Sequence, residues 1–207
     1  MKEWNKAAKA MRIALDGLSR SPGKEHKKTL QCTHELGSLL ATQGDNAEAE
    51  TLFRNLVEVR KRTAGPDHWD TVQSIYELGC VLMKQETGRN EAGRLMSNLL
   101  EKEKQGVKIP AETSRKQAEL LYHQDRLKEA EGDFDKVIGV WTSSRATHDA
   151  ELLEAQDFLG RALYKQGKFA RATTIFEGIV NQRKEKLGEE HELTIQARRR
   201  YRKALLH

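Results

Sequence analysis

Histidine and cysteine are the residues of this 207-residue chain whose chemistry suits metal binding or nucleophilic catalysis. Four of the histidines, His26, His68, His148 and His191, recur at equivalent places, each just before a predicted helix. Zinc ligands must converge on one point, whereas residues repeated at one position of stacked helices lie about 10 Å apart. The recurrence therefore indicates a loop or helix-capping role, and we expect no metal site.

The other candidates for catalysis are His34, His123, Cys32 and Cys80. Neither histidine has a cysteine or aspartate placed to complete a catalytic triad. Both cysteines lie in helical patterns, where a thiol packs as a small apolar group. No glycine-rich loop is followed by Lys-Ser or Lys-Thr, so the phosphate-binding loop of nucleotide hydrolases is absent. We expect no catalytic residue, no cofactor and no enzymatic activity.

The densest charge lies at the C-terminal end, where residues 182–207 hold eight Lys and Arg against four Glu and thus most of the net charge of +5. One hypothesis is an anion-binding patch for an acidic protein, nucleic acid or anionic lipid. Its residues are Arg198, Arg199, Arg200, Arg202 and Lys203. The alternative, which we favour, is a solvated terminal helix whose cations suit the helix dipole. Nucleic acid is a disfavoured partner because the rest of the chain lacks a basic stripe.

The composition excludes a membrane span and a disulfide scaffold. Only 37% of the residues are hydrophobic, and no apolar run reaches the ~18–20 residues that cross a bilayer. Two cysteines are too few for a disulfide framework and suit a reduced compartment. Cations interrupt the N-terminal segment, so it is not a secretory signal. It fits a mitochondrial presequence or, as we prefer from its spacing, a first helix. We expect a cytoplasmic protein.

A repeated spacing predicts helices in antiparallel pairs. The segments 35–40, 77–82 and 158–163 read ELGSLL, ELGCVL and FLGRAL, and each holds a small residue. An alanine follows 12 or 13 positions later, and a bulky apolar residue lies four positions beyond it. The small residues are Gly37, Gly79, Ala118 and Gly160, and the bulky ones are Phe53, Met96, Phe134 and Phe176. Small side chains let two helices approach closely, and each pair must stack on another to bury its apolar stripe.

This pattern resembles the tetratricopeptide repeat over essentially the whole chain. The segments 65–71 (GPDHWDT) and 187–194 (LGEEHELT) are similar to the LG-x-x-HP-x-T boundary of kinesin-light-chain-type repeats. The proline of that boundary is replaced here by Lys27, Trp69, Asp149 and Glu192. The resemblance implies an all-α fold, a right-handed α-α superhelix of about ten helices. It would hold roughly four repeats plus a half-repeat at each end.

The predicted elements form a single array over residues 1–207. They are a half-repeat over 3–19, repeats over 27–63, 69–104, 111–142 and 148–186, and a terminal helix over 191–206. Thr29, Thr71 and Thr194 lie near helix starts, where we expect them to cap. The half-repeat ends suit a segment of a longer array or an array with atypical caps, and they offer surfaces for self-association.

The resemblance further implies a concave groove lined by the first helix of each repeat. Tyrosine and arginine are residues that anchor interfaces, and methionine adapts to varied surfaces. The predicted groove residues are Gln73, Tyr76, Met83, Lys84, Arg115, Glu119, Tyr122, Phe158, Arg161, Tyr164 and Lys165. The alternative is that these are ordinary solvated residues of a scaffold.

The implied function is a non-enzymatic protein–protein interaction scaffold that binds a peptide or partner helix in this groove. Two alternatives stay open. One is a sensor or oligomerisation segment of a larger signalling protein, since such arrays resemble the C-terminal regions of nucleotide-binding receptors. The other is binding of nucleic acid or lipid through the basic C-terminal helix.

Overall fold

The computed structural model describes residues 2–143 and 149–207, with side chains over 6–143 and 150–207. In this part of the chain the regular elements are ten α-helices, a five-residue π-helical turn over Ser19–Gly23 and a short 3-10 turn over Glu86–Gly88. The helices are α1 (Lys2–Leu18), α2 (Lys27–Gln43), α3 (Asn46–Thr63), α4 (Trp69–Met83), α5 (Arg89–Lys104), α6 (Thr113–His123), α7 (Leu127–Ser143), α8 (Asp149–Lys165), α9 (Phe169–Leu187) and α10 (Glu192–Leu205). The all-α class and the number of helices are confirmed.

The small and bulky residues of the repeat lie against each other in the helix pairs. A β-carbon added to Gly37 would lie 3.0 Å from the Phe53 ring, and one added to Gly160 would lie 2.8 Å from the Phe176 ring. Gly79 has the same relation to the Met96 methyl group. Since ordinary carbon contacts are about 3.5–4.0 Å, glycine is what allows these helices to approach so closely.

The chain divides into two compact units, residues 1–113 and 114–207. In the first unit each helix from α1 to α5 packs on the next, and α2 also contacts α4. In the second unit α7, α8, α9 and α10 pack in the same sequential way. Its core includes Phe134, Leu163, Phe176 and Ile179, joined by Ala118 from α6. The expectation that all residues form one continuous array stays a prediction.

The described helices begin and end near the ends of the predicted segments, and the division into repeats stays a prediction. Helix α4 ends at Met83 and the 3-10 turn follows it, which accounts for the extra residue in that repeat. Helix α6 begins at Thr113, whose Oγ1 donates to the Pro110 carbonyl oxygen at 2.6 Å. The predicted start of the fourth repeat at His148 lies outside the described residues. Within the described residues, every helix is too short or too polar to span a lipid bilayer.

Three of the four recurring histidines cap helices, and the fourth, His148, lies outside the described residues. The Nδ1 atoms of His26, His68 and His191 each accept a hydrogen bond, at 3.2 Å, from the backbone N–H two residues further on. The threonines that we expected in this role are buried instead. Thr29 Oγ1, for example, donates to the carbonyl oxygens of Leu18 and Gly23 at 3.2 and 2.6 Å. Histidine occupies the N-cap position because it is the last residue with an extended backbone before each of these helices.

Two buried arginines fasten the end of one pair to the start of the next helix. Arg60 Nη1 donates to the Asp70 carbonyl oxygen at 2.8 Å and to Ser74 Oγ at 2.7 Å. Arg183, which holds the equivalent place in α9, donates from Nη1 to the Leu193 carbonyl oxygen at 3.1 Å. Burial lowers the pKa of both guanidinium groups. The basic ends of these helices are therefore partly structural.

Candidate ligand-binding surface

Residues from α6, α8 and α10 surround a recess of about 270 Å³ in the second unit, with Phe176 of α9 beneath it. We call it the aromatic–cation pocket. It is lined by Tyr122, Arg161, Tyr164, Lys165, Phe176, Arg200 and Lys203. Four of these residues belong to the predicted groove and two to the predicted anion patch. The structure thus brings parts of two separately predicted sites into one place.

Cations lie over both tyrosine rings of the pocket. The Arg161 Cζ and the Lys165 Nζ are each 4.8 Å from the centre of the Tyr122 ring. The Lys203 Nζ is 5.1 Å from the centre of the Tyr164 ring. These distances are within the ~6 Å range of cation–π attraction. Because Tyr122 is only 6% exposed, it forms the floor of the pocket while the cations form its surface.

Further aromatic residues hold the two tyrosines in place. The Tyr122 ring meets Phe158 edge-on at 5.5 Å between centroids, and Phe158 stacks on Phe134 at 5.9 Å. Tyr164 meets Phe169 edge-on at 5.3 Å, and the ring of His207 stacks on Phe169 at 4.6 Å. Ring contacts in a packed core restrict side-chain rotation, and Tyr122 and Phe134 are buried in this way. The Tyr122 side of the pocket is therefore built on a packed aromatic base, with half-buried Phe158 acting as a support beneath it.

Two aspartates pair with the cations of the pocket. Asp157 accepts a hydrogen bond from Arg200 Nη1 at 2.8 Å and lies 3.9 Å from Arg161. Asp125 pairs with Lys165 at 3.2 Å. Among the described residues, these are the carboxylates that the structure pairs with the four cations. The pocket consequently keeps an excess of positive charge.

The predicted anion patch is divided by the geometry of α10. Arg200 and Lys203 line the pocket, whereas Arg199 and Arg202 are exposed outside its lining. Arg198 lies 3.8 Å from the Glu189 carboxylate. Arg200 and Lys203 are three positions apart and share the side of α10 that lines the pocket, whereas Arg198 and Arg202 are four positions apart and share another side.

Other predicted groove residues of the second unit form ion pairs beside the pocket. Arg115 is 7% exposed, and its Nη1 lies 3.0 Å from Glu154 and 3.7 Å from Glu119. Lys116 pairs with the same Glu119 at 2.9 Å. Paired in this way, Arg115 and Glu119 present little unbalanced charge to a ligand.

The predicted groove residues of the first unit lie on α4 and its C-terminal end. Gln73 and Tyr76 are half-buried, and Met83 is buried. The Lys84 ammonium donates to the Ala41 carbonyl oxygen at 2.7 Å and so connects α4 to α2. Burial raises the pKa of the neighbouring Glu77 carboxyl. With Lys84 close to Glu77, this surface lacks the four converging cations of the second unit's pocket.

The described residues contain no group of three or more His, Cys, Asp or Glu side chains that could hold a metal ion. Cys32 and Cys80 are half-buried thiols, and burial raises the pKa of the Cys32 thiol. A raised pKa keeps the thiol protonated and weakly nucleophilic. The chemistry that the pocket offers is recognition by charge and by aromatic rings.

Sequence reasoning missed the contribution of α10 to the aromatic–cation pocket. Thr194 is buried like Thr29 and Thr71, and each of these two lies eight residues before a small residue of the repeat. Extending the same count to α10 places Arg202 at the small position and Lys203 directly after it. Arg161 holds this same predicted groove position in α8. The position of Thr194 in the sequence could therefore have indicated that Lys203 lies on the same face.

Comparisons with known proteins agree with this architecture. Residues 29–70 and 110–185 match two family models that are both described as tetratricopeptide repeat, and together they cover more than half of the chain. No curated protein matches. Several solved structures share the fold, at sequence identities below 20%.

Three of these structures are informative. Nearly identical TPR-like repeats of a putative kinesin light chain from Podosopora anserina are 19% identical, cover 87% of each chain and give a TM-score of 0.72. BtubC (BKLC) from P. vanneervenii is 16% identical over 99% of this chain and 87% of its own, with a TM-score of 0.67. YrrB, described as a TPR protein with an unusual peptide-binding site, is 14% identical over 92% of each chain, with a TM-score of 0.56.

Proposed function

This chain belongs to the tetratricopeptide-repeat family and has repeats of the kinesin-light-chain-like fold type, and from that premise we propose that its second unit binds a peptide or partner helix. The repeats make the protein an interaction scaffold. We place the ligand on the face formed by α6, α8 and α10. The proposed role is non-enzymatic.

The aromatic–cation pocket is the observation that carries the proposal. Arginine and tyrosine dominate the energetics of protein interfaces, and here they converge in a recess instead of being scattered over the surface. The rings beneath the pocket are packed on one another. A rigid site loses little entropy when a ligand binds, which increases affinity for a given set of contacts.

The test compares two tyrosines of the second unit. Tyr164 lines the pocket, whereas Tyr201 on α10 lies outside its lining and is also half-buried against the core. A partner is first captured by crosslinking and identified by mass spectrometry. Its binding segment is then titrated calorimetrically against the full chain and against the variants Tyr164→Ala and Tyr201→Ala.

We expect Tyr164→Ala to weaken binding by about tenfold or more, because truncating an interface anchor costs over 1 kcal/mol. Tyr201→Ala should bind within about twofold of the wild type, since it removes a similar packing contact outside the proposed face. Circular dichroism would verify that both variants stay helical. Equal affinity of the Tyr164→Ala variant and the wild type would show that the ligand binds elsewhere.

A further inference from the structure

The charges around the aromatic–cation pocket do not balance. Arg161, Lys165, Arg200 and Lys203 place four positive charges around one recess. Among the described residues, Asp157 and Asp125 are the carboxylates that pair with them. The remainder is two positive charges. Like charges crowded at one site repel each other, so a ligand with two negative charges would relieve this repulsion.

The cations also converge from two helices. Arg161 and Lys165 are one turn apart on α8, and Arg200 and Lys203 are three residues apart on α10. Three of the four lie over tyrosine or phenylalanine rings at 4.8–5.1 Å. Those contacts favour positions of the cations above the floor of the recess, so binding an anion would cost less side-chain entropy than at a flexible basic surface.

We propose that this pocket binds the phosphoryl group of a phosphorylated side chain in a peptide ligand. A phosphate monoester carries nearly two negative charges at neutral pH and three acceptor oxygens. Guanidinium and ammonium groups are its usual partners, through charge-assisted hydrogen bonds. A carboxylate carries one charge and two oxygens, so it matches the excess charge less well. The inference rests on the proposed function, because it assigns a ligand class to the same face.

The form of the basic region favours a peptide over nucleic acid. A nucleic-acid surface uses a continuous basic stripe that follows successive phosphodiesters, each with a single charge. Here the converging cations surround one recess of about 270 Å³, which suits a single dianionic group better than a chain of phosphates. Arg199 and Arg202 are exposed outside its lining and Arg198 lies near Glu189, so these three arginines add no cation to the recess.

The experiment uses the full 207-residue chain and a fluorescent peptide Gly-Ala-Ala-Xaa-Ala-Ala-Gly, with phosphoserine, serine or glutamate as Xaa. Polarisation titrations measure the affinity for each peptide. Inorganic phosphate and a single-stranded oligonucleotide of equal total charge serve as competitors. The variants are Lys203→Gln and Lys165→Gln, with Arg202→Gln as the matched control, because it removes one charge from the same helix outside the pocket.

We expect the phosphoserine peptide to bind about tenfold more tightly than the serine peptide and clearly more tightly than the glutamate peptide. Lys203→Gln and Lys165→Gln should each weaken it about fivefold, and Arg202→Gln less than about twofold, because a charge in solvent beyond the site is screened. Inorganic phosphate should compete. Both lysines have exposed side chains, and unchanged circular dichroism would verify folding.

Several outcomes would overturn the proposal. Equal affinity for the three peptides would remove the phosphoryl group as the ligand. Equal losses in Arg202→Gln and Lys203→Gln would indicate a diffuse basic surface. Competition by inorganic phosphate with no preference for the phosphopeptide would assign the pocket to free phosphate, and stronger binding of the oligonucleotide would assign it to nucleic acid. Binding of a captured partner that depends on Tyr164 but not on phosphorylation would leave the proposed function standing.

Discussion

Gly160 and Gly79 hold the same position in two helix pairs but face different neighbours. An added β-carbon at Gly160 would lie 2.8, 2.9 and 3.2 Å from three atoms of the Phe176 ring, which is 2% exposed. At Gly79 the close neighbour would be the terminal methyl of Met96, at 2.5 Å. A rigid ring in a full core cannot move aside, whereas the end of a methionine side chain can.

We therefore expect Gly160→Ala to lower the free energy of unfolding by about 1–2 kcal/mol, since overpacking outweighs the better helix propensity of alanine. Gly79→Ala should change it by less than about 0.5 kcal/mol, because Met96 adjusts. Gly178→Ala in α9 is the control, with nothing within 4 Å of the new β-carbon, and should stabilise by about 0.5–1 kcal/mol. Urea denaturation measures all three. Equal effects of Gly160→Ala and Gly178→Ala would contradict the close approach of α8 and α9.

At the scale of the helix, the recurring histidine is a cap whose side chain accepts one of the otherwise unpaired N–H groups of the first turn. His68 shows this for α4, with its Nδ1 3.2 Å from the Asp70 nitrogen. The ring is half exposed, so it contributes little to the core. We therefore expect His68 to stabilise the fold mainly through this hydrogen bond.

His68→Ala should reduce the free energy of unfolding by about 0.5–2 kcal/mol, the usual cost of losing a side-chain cap. His68→Asn should retain most of the stability, because asparagine is among the strongest caps. Thermal and urea unfolding of the two variants at pH 7 would measure the difference. If the asparagine variant were as unstable as the alanine variant, the ring would be acting through packing and not through its cap.

At the scale of the whole molecule, each compact unit buries its own core, and contacts run mainly between sequential helices. In such an array stability is approximately a sum of contributions from repeats and from their interfaces with neighbours. A substitution that destabilises one helix pair should therefore affect mainly that pair and its neighbours. The variant Gly160→Ala offers a direct test, since its strain lies between α8 and α9.

Hydrogen exchange measured by mass spectrometry should show this localisation. We expect amides of α8 and α9 in Gly160→Ala to exchange about 5–30 times faster than in the wild type, which corresponds to a loss of 1–2 kcal/mol. Amides of α2 and α3 in the first unit should change less than about twofold. A uniform acceleration across both units would show instead that the chain unfolds as one cooperative body.

Much of this protein was determined by its sequence alone. Helix pairs are encoded by the local spacing of small and bulky residues, such as Gly37 and Phe53, because complementary volumes at helical spacing need no distant information. The positions of Tyr122, Arg161, Tyr164 and Lys165 on the first helices of their pairs followed from the same count. The recurrence of histidine before helices correctly indicated a capping role, although threonine was expected to share it.

Only the tertiary structure decided how the site is assembled. Arg200 and Lys203 of α10 join Arg161 and Lys165 of α8 around one recess, although the two pairs lie about forty residues apart in the sequence. Which cation lies over which ring depends on the lateral offset between α8 and α10, and that offset is set by how the buried side chains of α8, α9 and α10 interlock. The spacing of residues along the sequence predicts which helices pack together, but it does not predict the lateral offset at which they pack.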